Sequence, residues 1–201
     1  METLKRPSLR RFAIPHSILL VAIFLVGCEA FRTAPKTQPQ PEPGDVEHGY
    51  ALLFDLMGDE SDVAKLRFIK HERPEVKELV KEISKTCGEA HKQLEAFGKA
   101  DPGLNLKLLG LPAAEVETRK AIGKTKEKAL LTDKNKEFEI QLLLSQSEAL
   151  MYGAHLALVT ALTERQAERA RFLQMLSGDL TRLQKKVVDM FLVNYSWPES
   201  K

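Results

Sequence analysis

The chain has 201 residues with 30 Lys+Arg against 28 Asp+Glu, and a formal charge of +2 is too small for a nucleic-acid footprint. A hydrophobic fraction of 43% and a charged fraction of 29% are ordinary for a folded chain and exclude compositional disorder. Aromatics at 6% favour helices over sheets, and two cysteines cannot build a disulfide framework.

Residues 1–27 carry Lys5, Arg6, Arg10 and Arg11 against one acid, Glu2, and no charge follows from Phe12 to Gly27. The apolar run Ile18 to Val26 is much shorter than the ~20 residues of a spanning helix, so the segment predicts a signal peptide. It ends in Leu25-Val26-Gly27-Cys28, which resembles the lipobox of bacterial lipoproteins, with Leu three before the cysteine and a small residue just before it. The resemblance implies cleavage before Cys28, a thioether-linked diacylglycerol on its sulfur, and a further acyl chain on the new amino terminus. Each buried methylene contributes about 0.8 kcal/mol, so two or three chains hold a protein on a membrane where one releases it. The expected location is therefore the bacterial cell envelope, with the folded part in the periplasm or extracytoplasmic space. Glu29 leaves the choice between inner and outer membrane open. Removing residues 1–27 also leaves the mature chain with one more acid than base, so the slight basicity belongs to the export signal.

Residues 28–45 read as a lipid-anchored tether, with prolines at 35, 39, 41 and 43 that preclude helix and sheet. At ~3.1 Å per residue an extended chain of this kind reaches on the order of 50 Å. A helical domain is expected over residues 46–197. Its first region, 46–70, is interrupted by Gly58-Asp59-Glu60-Ser61 and reads as two pieces or one kinked helix. The second carries Val76, Val80, Ile83, Cys87, Ala90, Leu94 and Phe97 on one stripe, opened by Pro74 and stopped by Gly98. Leu104 to Pro112 reads as a crossover loop, and Ala113 to Leu131 as a shorter, polar helix. The third principal helix carries Phe138, Leu142, Ser145, Ala149, Tyr152, Leu156 and Val159. The fourth carries Leu173, Leu176, Leu180, Leu183, Val187 and Met190, starts near Thr163 with a Thr163/Gln166 capping box, and has a potential kink at Gly178. Four principal helices with a long second-to-third connection predict an all-α, ferritin-like antiparallel four-helix bundle.

Several segments carry a further resemblance: Phe68 to Phe97, Leu111-Pro112, Glu137-Phe138-Glu139 and the Tyr152 to Leu156 region. Together they resemble an exported bacterial family of unknown function with a ferritin-like bundle, often labelled predicted outer-membrane protein. Ala90-His91 stands where that family usually has Asp-His, and Phe138-Glu139 where it has Phe-Asp. A further histidine of the family pattern is replaced by Glu148, with His155 following later.

Catalytic templates fail on spacing. Gly123-Lys124-Thr125 lacks the first glycine of a P-loop, His71-Glu72 runs into Pro74 rather than a zincin helix, and Cys-x-x-Cys and Gly-x-Ser-x-Gly do not occur. The Glu-x-x-His pairs of di-iron bundles are absent as well. One constellation remains. Cys87 and His91 share a face of the second helix; Glu148, Tyr152 and His155 share one of the third. If the two helices are antiparallel neighbours, His91, Glu148 and His155 could hold zinc or ferrous iron, with Cys87 close by. The alternative for these residues is packing and buried hydrogen bonding, with no cofactor required. Lys120, Lys124, Lys126 and Lys128 form a surface patch that reads as a solvated face or as a membrane or partner surface. Trp197, with Tyr195, is a docking tip or packs on the end of the helices. The reading that results is a non-enzymatic envelope structural or interaction protein with an envelope protein partner. Its alternatives are a metal-binding or redox protein and an apolar-ligand binder.

Overall fold

The described residues form five α-helices: α1 (Asp45–Ser61), α2 (Pro74–Ala100), α3 (Ala113–Thr132), α4 (Lys136–Thr163) and α5 (Ala167–Tyr195), with the clearest amphipathic stripes, three and four residues apart, on α2 and α5. A 3-10 helix, Val63–Phe68, follows α1. No strand occurs among the described residues, so the chain is all-α there. The computed structural model describes residues 45–68, 73–132 and 136–195, all within one compact unit, Pro41–Lys201. The signal segment, Cys28, the tether, His71 and Trp197 lie outside the described residues.

Each principal helix packs on two others, in the order α1, α2, α5, α4 and back to α1. All four neighbouring pairs are antiparallel. Tyr50 meets Phe97 across α1 and α2, Glu82 meets Lys186 across α2 and α5, Ser147 meets Gln184 across α4 and α5, and Gly49 meets Thr160 across α1 and α4. Consequently α2 and α4 lie diagonally opposite and run parallel, joined by the long segment that contains α3. That helix sits outside the ring and packs on α4.

The stripe expected on α2 is buried from Val76 to Leu94, and the stripe on α5 from Leu173 to Val187. Other elements differ from expectation. α1 runs unbroken through Gly58 to Ser61, whose hydroxyl donates to the Gly58 carbonyl, so the interruption falls after the run 58–61 rather than within it. α5 is continuous through Gly178. Thr163 closes α4 instead of capping α5: its hydroxyl donates to the Thr160 carbonyl, while Glu164 accepts from the Gln166 N–H at 2.7 Å. On α4 the buried set after Leu142 is Leu143, Gln146, Leu150, Gly153, Ala154, Ala157, Thr160 and Ala161, and the expected members Tyr152 and Val159 are exposed. α4 contacts α1, α3 and α5 and is apolar on most of its circumference, which leaves periodicity little to choose a face by.

Two glycines at one end of the array are fixed by close approach. A Cβ on Gly49 would stand 2.3 Å from Thr160 Oγ1, so α1 and α4 nearly touch there. Gly110, at φ +68°, lets the crossover loop close over His48, whose ring a Cβ would meet at 2.3 Å.

Candidate functional site

The residues expected to converge on a metal point to different helices. His91, on α2, stacks on Phe54 of α1 with ring centroids 4.1 Å apart and an interplanar angle of 20°. Glu148, on α4, pairs with Lys126 of α3. His155 is exposed on the same helix. Because α2 and α4 are diagonal rather than adjacent, the antiparallel contact that would bring His91 to Glu148 or His155 does not form. The shared face of Glu148 and Tyr152 is the one that meets α3, where Arg119 donates to the Tyr152 hydroxyl at 3.3 Å and lies 5.4 Å above its ring. No group of three His, Cys, Asp or Glu residues able to hold a metal occurs among the described residues. Cys87 is completely buried, and burial, followed by the charge of Glu60, pushes its thiol up to about 12. A thiol so protonated is a packing group at neutral pH, not a nucleophile.

Glu60 is the group that sequence reasoning missed. It continues the α1 stripe Tyr50, Leu53, Met57 at steps of three and four, and that spacing could have found it. Burial pushes its carboxyl up to about 7; the Gln146 amide of α4 and, more distantly, Lys126 oppose the rise, while Asp59 adds to it. Glu60 Oε2 and Gln146 Oε1 are buried with no hydrogen-bond partner. The middle of the array therefore holds an under-satisfied polar pair, costly for both atoms.

Both ends of the array instead carry carboxylates with several charged or polar partners, although Arg169 Nε at one end is also buried without a hydrogen bond. At one, Glu139 of α4 accepts from the Arg73 backbone N–H at 2.6 Å, from Arg73 Nε at 2.8 Å and from the Tyr195 hydroxyl at 2.7 Å. Burial alone would raise this carboxyl; the Arg73 and Tyr195 donors outweigh it and hold it below the usual range. Burial and the bond to Glu139 push the Tyr195 hydroxyl up to about 12. At the other end, Glu164 accepts from the Tyr50 hydroxyl at 2.9 Å and pairs with Arg169 Nε at 3.0 Å, while Arg169 Nη1 donates to Asp101 at 2.8 Å. Tyr50 is raised strongly, by burial first and by Glu164 second. These clusters bind helices to one another.

The surface is more varied. Lys120 pairs with Glu117 at 2.9 Å and Lys126 with Glu148, while Lys124 and Lys128 are exposed on the same helix. A cleft of about 300 Å³ between α1, α3 and α4 is lined by Leu52, Asp55, Leu56, Asp59, Arg119 and Tyr152. Burial, then Asp55 and Asp62, raises the Asp59 carboxyl. On the outer side of α4, Met151, Leu158, Val159 and Leu162 are 51%, 43%, 60% and 75% exposed.

Comparison with protein-family models, with curated proteins and with solved structures found no match.

Proposed function

We propose that the chain is an envelope lipoprotein, cleaved before and acylated on Cys28, whose folded part is a ferritin-like four-helix bundle acting as a non-enzymatic structural or interaction module. Two antiparallel hairpins joined by a long crossover are the connectivity of that architecture. The observation that carries the interaction reading is the α4 stripe Met151, Leu158, Val159 and Leu162, a row of large apolar side chains between 43% and 75% exposed along one helix. Inside the bundle Glu139 and Glu164 are spent on holding helices together, and Glu60 turns a buried Oε2 toward the interior.

Metabolic labelling with a palmitate analogue tests the anchor. The full chain takes up label and partitions with membranes; Cys28→Ser does neither. A photo-crosslinking residue in place of Met151 tests the surface in intact cells, and it is expected to yield a discrete adduct. Label uptake unaffected by Cys28→Ser refutes the lipoprotein reading, and absence of any adduct refutes the interaction reading.

A further inference from the structure

The chain enters the folded unit at Asp45, at the end of the bundle marked by Tyr50, Glu164, Arg169 and Asp101. The same end exposes large apolar groups. Leu158, Val159 and Leu162 occupy the last turns of α4, and Leu108 lies on the loop that runs from Asp101 to Gly110 over His48. Leu162 is 75% exposed and Leu108 53%. Lys107 and Arg165 flank them, both exposed and without an ion pair among the described residues.

We propose that this end of the bundle rests on the bilayer that holds the Cys28 anchor, with Leu108, Leu158, Val159 and Leu162 entering the headgroup and acyl boundary and Lys107 and Arg165 meeting anionic headgroups. The proposal rests on the lipoprotein reading above; it assigns the Leu158, Val159 and Leu162 end of the α4 stripe to lipid and leaves Met151, about two turns back along the helix, to a protein partner. Its occupant follows from the chain: 16 residues separate Cys28 from Asp45, so even an extended tether keeps this end within roughly 50 Å of the anchor. A short linker places the tethered surface at an effective concentration on the order of millimolar, so a patch too weak to bind as a free protein is still occupied. Exposed aliphatic side chains flanked by cations suit a lipid interface, where the apolar body is buried and the charge meets phosphate. Glu47 and Glu168 are also exposed at this end, so apolar burial rather than charge leads the contact.

The test uses the full acylated chain, purified from membranes and reconstituted into vesicles of phosphatidylethanolamine and phosphatidylglycerol. A nitroxide is placed at Leu162→Cys, at Val159→Cys, or at Val193→Cys, an equally exposed apolar position at the other end of the bundle. Buried Cys87 does not label in the folded protein. The proposal expects the nitroxides at 159 and 162 to gain several-fold in collision with oxygen and to lose collision with a water-soluble nickel chelate, while the one at 193 stays aqueous. Two outcomes overturn it: labels at 159 and 162 as aqueous as that at 193 on acylated protein, or shielding from both reagents, which marks a protein partner or a second copy. Mass spectrometry of the same preparation separates the two readings, because Cys28 without diacylglycerol refutes the lipoprotein reading and removes the proposed occupant with it.

Discussion

Glu139 and Glu60 are both carboxylates held between helices of one bundle, yet their acidities move in opposite directions. Glu139 collects a backbone N–H, a guanidinium and a phenol from two other segments, and its carboxyl falls below the ordinary range. Glu60 faces one amide, keeps an oxygen with no partner, and rises to about 7. Burial pushes both the same way; the number of donors decides the sign. The ends of the bundle are therefore electrostatically closed and its middle is not.

The strongest way to break this contrast is to open a closed end. Arg169→Ala strands Glu164, whose side chain is 2% exposed, and is expected to lower stability by about 3–5 kcal/mol in chemical denaturation. Glu60→Gln works in the opposite direction. Its folded pKa, about 7, lies above the ordinary 4.5, so the native state holds the proton more tightly than the unfolded chain; the contribution is complete below pH 4.5 and lost as pH rises to about 7. That interval corresponds to roughly 3 kcal/mol, so at pH 8 Glu60→Gln is expected to be more stable than the parent by up to that amount, and the advantage disappears at pH 4.5. Denaturant midpoints at the two pH values check it. Glu139→Gln carries the reverse signature, because a depressed pKa gives stability that is present above the ordinary carboxylate range and lost in acid. A loss of about 2 kcal/mol at pH 7 that shrinks below pH 4 is expected, read from the same titration. The smallest effect belongs to Lys126→Ala. Its pair with Glu148 is solvent-exposed, and its loss should cost no more than about 1 kcal/mol in chemical denaturation.

The helices of this fold were readable where one face was apolar and the other was not. Val76 to Leu94 and Leu173 to Val187 show this, since every expected member between those limits is buried. α4 was not readable in the same way, because it contacts α1, α3 and α5 and is apolar on most of its circumference, and Tyr152 was placed in the core when it meets α3. The candidate ligands lie apart for a different reason. Helical spacing sets which side chains share a face but not which helices are neighbours, and His91 and Glu148 belong to diagonal ones. Glu60 was hidden by its context: Gly58 and Ser61 beside it imitate a turn, while the helix continues through them.

The two clamps also govern how the chain assembles. α1 with α2, and α4 with α5, are local hairpins, whereas Arg73 to Glu139 and Tyr50 to Glu164 join one hairpin to the other across 66 and 114 residues of sequence. Bonds between segments so distant in sequence close long loops, and they are expected to form late in folding. Their removal is therefore expected to raise the unfolding rate and to leave the folding rate almost unchanged, as the two arms of a denaturant chevron would show.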